Sequence, residues 1–393
     1  MMDQLRSLEK AMGSPVFLVG GMVRDKLLGK APKDWDLTCP LFPEEMVQRL
    51  EAAGYRTIPT GLKHGTISVI FPEELVEITS HRSDGEYLDG RRPDGVRFGV
   101  SLEDDLARRD FTINAMALTL DGVLVDPFGG QEDLKRGLIR AVGEPLDRFS
   151  EDGLRPMRAC RFLSQLNFEV APSTARAIPL TLNVFDKVAR ERIHSEFDKL
   201  LKGKNPEKAI RLMAQTGLLC VWIPEVLEFN PSYLQMSQAR SPLTKLATFF
   251  KGFPNAEEIM LRSKFPLDTI SKVLRLIKHS DGVIVGVQAK TDYILRQIAA
   301  SLEEKGLTIQ DWLDLPNHFV MKASAERALM GQPPLQVKDL KLRGEDLQKL
   351  FPGKPLGPWV SKVLRHLQDL VHQDPAFNQP SILSEQAVLF MEQ

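Results

Sequence analysis

Two aspartates, Asp34 and Asp36, stand two residues apart shortly after a pair of glycines. On an extended segment, residues two apart point to the same side, so both carboxylates are predicted to face one way. Carboxylate oxygens beside a triphosphate are what magnesium-assisted phosphoryl transfer requires. An isolated Asp-x-Asp is more often a solvated loop, so the interpretation depends on the residues that precede it.

The preceding stretch predicts a phosphate-binding turn. Residues 16–19 form a short apolar run that is typical of a strand, and Gly20-Gly21 forms a turn where backbone can approach a ligand closely. Residues 22–28 then favour a short helix. Free N–H groups at a strand–turn–helix junction bind phosphate, and Arg24 adds a guanidinium for the same group.

The order of these features resembles motif A of the nucleotidyltransferases that share a polymerase-β-like head. Within that superfamily the chain resembles the class II tRNA nucleotidyltransferases and bacterial poly(A) polymerases. Residues 108–117 (RRDFTINAMA) resemble motif B of this family, and residues 124–130 (LVDPFGG) resemble motif C. Residues 151–155 (EDGLR) resemble motif D. The resemblance is specific over residues 16–165 and weakens towards the carboxyl end.

The resemblance implies a catalytic group of carboxylates, Asp34 and Asp36 assisted by Glu77, that holds two Mg²⁺ ions. One ion lowers the pKa of the attacking 3′-hydroxyl, and the other neutralises the leaving pyrophosphate. Glu77 lies in the apolar run 75–79, where an acid either has a partner or faces water. The resemblance favours the first alternative.

It also implies a set of nucleotide-binding residues, namely Gly20, Gly21, Arg24, Arg109, Asp110, Asp152, Arg155, Arg158 and Arg161. The glycines, Arg24 and Arg109 are expected at the triphosphate, and Asp110 at the ribose. Asn114 is a weaker candidate, because it can simply brace a helix.

Asp152, Arg155, Arg158 and Arg161 recur every third residue. On a helix, three residues advance to about 60° short of a full turn, so the first three are predicted to share one broad face. A solvated charged face is the alternative. Pro156 predicts a helix start or a kink at this point, since proline lacks an N–H and clashes with the preceding turn.

The motif D pair has a chemical logic of its own. Cytosine and adenine both present an amine donor beside a ring-nitrogen acceptor, whereas uracil and guanine present the reverse. Aspartate only accepts hydrogen bonds and arginine only donates them, so Asp152 with Arg155 complements cytosine and adenine. Each buried mismatch costs about 1–3 kcal/mol, so such a site can select CTP and ATP without a template.

Residues 82–97 lack periodicity and are rich in glycine, aspartate and arginine. A loop of this length inside a compact domain is more often functional than a simple connection. We expect it to act as the lever that re-aims Asp152 and Arg155 when the enzyme changes from cytosine to adenine. A solvated connection is the alternative.

Composition bounds the remaining possibilities. The chain has 393 residues, 43% of them hydrophobic and 26% charged, with a formal net charge of -1. These values are those of a globular protein of two to four domains, and any RNA site must be a local basic patch. No apolar run predicts a membrane span or a signal peptide. The three scattered cysteines favour reduced thiols, hence the cytoplasm.

The predicted architecture is an α/β head with a mixed five-stranded sheet, followed by an all-α neck, body and tail. The predicted domains are a catalytic head (1–140), a neck that recognises the base (141–225), a body (226–300) and a tRNA-binding tail (301–393). Regularly spaced basic residues at 262–278 either face tRNA phosphates or face water.

The predicted activity is template-independent addition of CMP, AMP or both from CTP and ATP to the tRNA 3′ end, with release of pyrophosphate. The expected cofactor is Mg²⁺, and neither a membrane nor an obligate protein partner is implied. A dedicated A-adding enzyme and a poly(A) polymerase remain alternatives. A non-catalytic RNA-binding protein is the alternative from another class, although it would be expected to have lost the carboxylates.

Overall fold

A computed structural model of the chain describes residues 1–31, 34–72, 74–84, 95–228, 233–280 and 288–392. The chain divides into two compact units, Met1–Glu228 and Phe229–Gln393. The finer division into head, neck, body and tail stays a prediction. Across the ranges described, no helix has the length and apolar character needed to cross a bilayer.

The first unit contains the strands of the chain. They are β1 (Phe17–Val19), β2 (Trp35–Cys39), β3 (Arg56–Gly61), β4 (Thr66–Ile70), β5 (Leu75–Ser80), β6 (Arg82–Asp84), β7 (Val96–Phe98), β8 (Ala117–Thr119), β9 (Leu124–Val125), β10 (Leu138–Ile139) and β11 (Glu169–Val170). Its helices are α1 (Met2–Met12), α2 (Gly21–Leu27), α3 (Pro43–Ala52), α4 (Leu102–Ala107), α5 (Gly130–Arg136), α6 (Pro145–Glu151), α7 (Arg155–Leu166), α8 (Pro172–Ala177), α9 (Leu182–Phe185), α10 (Arg190–Leu201), α11 (Pro206–Thr216) and α12 (Leu218–Trp222).

The described part of the second unit is helical and contains no strand. Its helices are α13 (Pro242–Phe250), α14 (Ala256–Arg262), α15 (Leu267–Lys278), α16 (Gln288–Glu303), α17 (Ile309–Leu313), α18 (Lys322–Ala328), α19 (Gly344–Leu350), α20 (Pro358–Gln373) and α21 (Pro380–Glu392). Arg296 of α16 ties this unit together by donating to the carbonyls of Ala328 and His372, both at 2.9 Å. The predicted class, an α/β head before a helical remainder, is confirmed.

The main sheet has seven strands in the order β3-β4-β5-β2-β1-β8-β9. β2 pairs with β5 in parallel, and the other pairs are antiparallel, so the sheet is mixed as predicted. The predicted count of five strands is wrong. β8 and β9 form a short hairpin in which Leu118 pairs with Leu124, and strands of two or three residues are too short to produce a readable alternation.

One face of the sheet is covered by α1 and α3. Leu5 and Leu8 of α1 and Leu50 of α3 are fully buried with the apolar residues of β4 and β5. Each fully buried leucine contributes about 1.5–3 kcal/mol of hydrophobic free energy. This packing fixes β2 and β5 in place, and these two strands carry the predicted catalytic residues Asp36 and Glu77.

A three-helix arrangement follows the sheet. α7 contacts both α10 and α11, and Ser164 of α7 donates a hydrogen bond to the carbonyl of Leu200 at 2.7 Å. Gly203 allows this close packing, because a Cβ there would lie only 2.2 Å from the Ser164 hydroxyl. The charged residues of α7 and α10 are therefore held in a fixed relation.

Candidate active site

The glycine turn joins β1 to α2 as predicted. Gly20 has φ 69°, a left-handed conformation that glycine adopts without strain. A Cβ at Gly20 would lie 3.0 Å from Nη1 of Arg109, so glycine also leaves room for that guanidinium. The turn therefore brings a motif A backbone against a motif B arginine.

Arg24 is held on the inner side of α2. Its Nε donates to Asp25 at 2.9 Å and its Nη1 donates to Asn114 at 2.8 Å. Its guanidinium also lies 5.2 Å from the centre of the Phe162 ring, within cation–π distance. Asn114 therefore contributes by orienting Arg24.

The predicted carboxylates lie at neighbouring strands. Asp34 immediately precedes β2, and Asp36 on β2 is the register partner of Glu77 on the parallel strand β5. Burial raises the pKa of Asp36, and the nearby charges of Glu77 and Asp34 raise it further, while Arg109 lowers it. Within the described ranges no hydrogen bond or ion pair engages these three carboxylates.

This arrangement fits a divalent cation. Crowded carboxylates that repel one another and lack internal partners are stabilised by a positive charge, and oxygen is the ligand atom that Mg²⁺ prefers. Among the described His, Cys, Asp and Glu side chains no group of three forms a metal site. Asp34 and Asp36 could still supply ligand oxygens as a pair, and Glu77 lies exposed on the neighbouring strand.

Arg109 is oriented by a carboxylate that the sequence analysis did not single out. Asp105 of α4 is fully buried and accepts from Nη2 of Arg108 at 2.8 Å and from Nη2 of Arg109 at 3.2 Å. Burial alone would raise the pKa of Asp105, but the two guanidinium groups hold it below its usual value. The only sequence signal for this role is its position four residues before Arg109.

Asp110 is a buried anchor between motif B and α7. Its Oδ2 accepts from Arg158 Nε at 2.7 Å, and its Oδ1 accepts from the Phe111 N–H at 2.8 Å and from Asn114 at 3.0 Å. Burial opposes the charged form, yet Arg158 and Asn114 lower the pKa of Asp110 to about 2. A ribose hydroxyl at Asp110 would therefore have to exchange with one of these partners.

The predicted shared helix face of Asp152, Arg155 and Arg158 is wrong in part. Asp152 lies before α7 in an extended conformation, with φ −132° and ψ 106°, whereas Arg155 is the first residue of the helix. Pro156 explains the difference, because proline is tolerated in the first turn of a helix and not in its interior. The helix start predicted at Pro156 is confirmed.

The side chains of Arg155 and Asp152, both among the described residues, each bind other residues of the protein, and not one another. The Arg155 guanidinium lies 2.6 Å from the Glu151 carboxylate and donates to the carbonyls of Arg148 and Arg108 at 2.9 and 2.8 Å. Asp152 accepts from Arg192 of α10 at 3.1 Å. Arg192 is not among the predicted site residues, and its only signal in the sequence is its place on an amphipathic, charged helix.

Arg161, the last of the regularly spaced arginines, is also held by α10. Arg161 Nε lies 2.8 Å from the buried carboxylate of Glu196, and its guanidinium stacks 4.1 Å from the centre of the Phe162 ring. Burial and the neighbouring Arg158 lower the pKa of Arg161 to about 10, which still leaves it charged at neutral pH.

These elements enclose a cleft of about 670 Å³ in the first unit. The cleft is lined by eleven of the twelve predicted site residues: Gly20, Gly21, Arg24, Asp34, Asp36, Arg109, Asp110, Asp152, Arg155, Arg158 and Arg161. Glu77 instead lines an adjoining cavity of about 160 Å³ that it shares with Asp36. Eight basic and four acidic side chains line the cleft, a balance that suits a polyanionic ligand.

The loop proposed as a lever lies largely outside the described residues, which omit 85–94. Its two flanks are described. β6 and β7 pair antiparallel, and Asp84 is the register partner of Val96.

Comparison with known proteins shows the family to which the chain belongs. Residues 16–140 match the family described as the poly A polymerase head domain, and residues 167–229 match a probable RNA- and SrmB-binding site of polymerase A. The CCA-adding enzyme of Bacillus licheniformis is 34% identical, over 97% of this chain and 95% of that protein. The CCA-adding enzyme of Bacillus velezensis is 36% identical, over 93% and 92%.

Solved structures agree as well. The CCA-adding enzyme of Bacillus stearothermophilus in complex with CTP superposes with a TM-score of 0.77 at 28% identity, covering 98% of this chain and 95% of that one. The Thermotoga maritima CCA-adding enzyme complexed with tRNA has the same fold, with a TM-score of 0.70 at 23% identity, covering 99% and 94%. The chain therefore belongs to the family of the CCA-adding enzymes and is a nucleotidyltransferase.

Proposed function

We propose that this protein transfers CMP and AMP from CTP and ATP to the 3′ end of tRNA, building or repairing the CCA end and releasing pyrophosphate. The observation that carries the proposal is the convergence of eleven motif residues on one basic cleft. Relatives that match nearly the whole chain and are named CCA-adding enzymes support the same reaction.

Members of this family use divalent metal ions, and we propose Mg²⁺. Asp34 and Asp36 would hold it, with Glu77 in support, because their oxygens lack competing partners in the described structure. A metal held there would lower the pKa of the attacking 3′-hydroxyl and neutralise charge on the pyrophosphate.

The protein's own residues bind and orient the triphosphate. Arg24 and Arg109 flank the glycine turn, and each is held in place by a carboxylate, Asp25 and Asp105 respectively. Guanidinium groups fixed in this way donate charge-assisted hydrogen bonds to phosphate without first losing side-chain entropy. Arg158 and Arg161 extend the basic wall along α7 towards the phosphates or the primer end.

Base selection follows from donor and acceptor chemistry at Asp152 and Arg155. Aspartate accepts from the amine that cytosine and adenine share, and arginine donates to their ring nitrogen. Uracil and guanine would leave a buried carbonyl facing a carboxylate and an N–H facing a guanidinium. The resulting penalty rejects UTP and GTP without a template.

We further propose that the helical remainder consists of a neck at 141–225 that recognises the base, a body at 226–300 and a tail at 301–393 that binds tRNA. Some basic residues of the body already have acidic partners: Lys272 pairs with Asp268 at 2.7 Å, and Arg275 pairs with Glu304 at 3.3 Å. These two side chains are mostly covered and are engaged within the protein, so their contacts do not support a role at tRNA phosphates. The three cysteines are free thiols, which supports a reducing compartment such as the cytoplasm.

One assay separates this function from its alternatives. Purified protein is incubated with Mg²⁺ and one of three acceptors: tRNA lacking its CCA end, tRNA ending in CC, or an unstructured RNA. Each labelled triphosphate is offered singly and in pairs. The proposal predicts that CMP is incorporated on tRNA and not on the unstructured RNA, and that one AMP follows. AMP addition only to tRNA that already ends in CC identifies a dedicated A-adding enzyme, and long AMP tracts on the unstructured RNA identify a poly(A) polymerase.

A further inference from the structure

The carboxylate of Asp152 is fixed from outside the motif that contains it. Its Oδ2 accepts from Nη2 of Arg192 at 3.1 Å, and its Oδ1 accepts from the backbone N–H of Leu154 at 3.0 Å. Arg192 lies on α10, forty residues further along the chain. Because Asp152 is in an extended segment between two helices, its side chain depends on these two contacts for its orientation.

Arg155 does not provide that orientation. Its guanidinium is committed to Glu151 and to the carbonyls of Arg148 and Arg108, and the residue is only 7% exposed. No contact between Arg155 and Asp152 is found among the side-chain hydrogen bonds and ion pairs of the described residues. The two members of the base-reading pair are therefore held by separate networks.

Arg192 is suited to hold Asp152 towards a ligand. It lines the cleft beside Asp152 and Arg155, and its side chain is 30% exposed. Its Nη1 is buried and, among the described residues, has no hydrogen-bond partner. Nη1 of Arg190 is in the same condition but lies outside the cleft lining, so it is the place of Arg192 in the cleft, in contact with Asp152, that points to a role at the ligand.

We propose that Arg192 is a positioning residue for base selection. It fixes the Asp152 carboxylate so that its remaining lone pairs face the amine of cytosine or adenine. This inference rests on the proposed function. It assigns part of the nucleotide preference to the neck helix α10, not to motif D alone.

The test measures nucleotide binding, so that it does not depend on turnover. Dissociation constants for CTP and UTP are measured by calorimetry, with Mg²⁺, on the full chain and on Arg192→Ala, Arg192→Lys and Arg190→Ala. Arg190 is the matched control, because it lies on the same helix and pairs with Asp186 at 3.0 Å outside the cleft lining. Thermal unfolding of each variant reports on folding.

Arg192→Ala is expected to reduce the preference for CTP over UTP by about tenfold, since one oriented acceptor is lost. Arg192→Lys is expected to restore part of the preference, and Arg190→Ala to leave it unchanged. In an Asp152→Ala background, Arg192→Ala should have no further effect on the ratio, because Arg192 acts through Asp152.

The inference would be overturned if the ratio of the dissociation constants for CTP and UTP were unchanged in a folded Arg192→Ala protein. It would also be overturned if Arg192→Ala changed that ratio equally with and without Asp152. A uniform loss of affinity for both nucleotides would equally reject it, because that is the outcome of a purely structural ion pair. Equal binding of CTP and UTP by the unaltered protein is a distinct result, which would contradict the proposed function itself.

Discussion

Arg158 and Asp110 form a partly buried ion pair that joins the head to α7, with Nη2 of the arginine 2.6 Å from Oδ2 of the aspartate. Asp110 follows Arg109 in the chain, and Arg158 lies one turn after Arg155. The pair therefore fixes the residues that we propose to bind phosphate relative to those that we propose to read the base. It also gives the site a measurable dependence on pH.

The folded state should lose stability in acid through Asp110. The pKa of Asp110 is lowered to about 2 from 3.8, so its stabilising contribution is complete above about pH 4 and is lost as the pH falls through 2. The free-energy difference between the wild-type protein and Asp110→Asn, from urea unfolding, should narrow by about 1–2 kcal/mol between pH 5 and 2.5. A difference that stays constant over this range would show that the charge of Asp110 does not contribute.

Arg155→Ala should lower stability as well as nucleotide selectivity. The substitution leaves Glu151 and two backbone carbonyls without their guanidinium partner, so we expect a loss of about 2–3 kcal/mol in the free energy of unfolding. Arg136→Ala is the control, because its pair with Glu132 is an exposed helix pair worth less than about 0.5 kcal/mol. Equal stabilities for the two variants would contradict the contacts assigned to Arg155.

Asp34→Ala or Asp36→Ala should abolish nucleotide incorporation while tRNA binding stays near that of the wild type. The reason is that these carboxylates have no hydrogen-bond or ion-pair partner among the described residues and are proposed to hold metal, not RNA. Incorporation and filter binding are measured side by side, with Asp121→Ala as the control, since Asp121 is an exposed turn residue away from the cleft lining. Incorporation near the wild-type level in either cleft variant would remove the metal assignment.

The loop predicted to switch the site from cytosine to adenine can be tested by a deletion that leaves the flanking strands β6 and β7 intact. Since Asp84 pairs with Val96, removal of residues 85–93 leaves Asp94-Gly95 between them, and Asp-Gly is a favoured two-residue hairpin turn. The shortened protein should keep CMP addition and lose AMP addition. Completion of CCA at the parent rate would mean that the loop is only a connection.

The residues that line the site are easier to predict from the sequence than the contacts between them. Aspartates spaced by two, a glycine pair and arginines beside motif aspartates are local patterns, so their elements and their convergence were predictable. The orientation of Asp152 by Arg192 and of Arg109 by Asp105 depends on which helices meet in three dimensions. An isolated charge on an amphipathic helix is typical of a solvated face, so nothing local distinguishes Arg192 or Asp105 from an ordinary surface residue.

The same limit explains the errors in the fold. β8 and β9 pair through only two register positions, and their pairing depends on the turn between them and on β1 alongside. The helical spacing of Asp152 and Arg155 predicts that both lie on one helix. Proline in the first turn moved the helix start beyond Asp152.

The most direct measurement is the 3′ sequence of the product formed on tRNA that lacks its CCA end. The purified protein is supplied with CTP and ATP together in the presence of Mg²⁺, and the extended ends are sequenced. We predict that two cytidines and one adenosine are added in that order, after which extension stops. The proposed CCA addition would be contradicted by ends that carry only adenosines. It would also be contradicted if folded wild-type protein added no nucleotide to an intact acceptor.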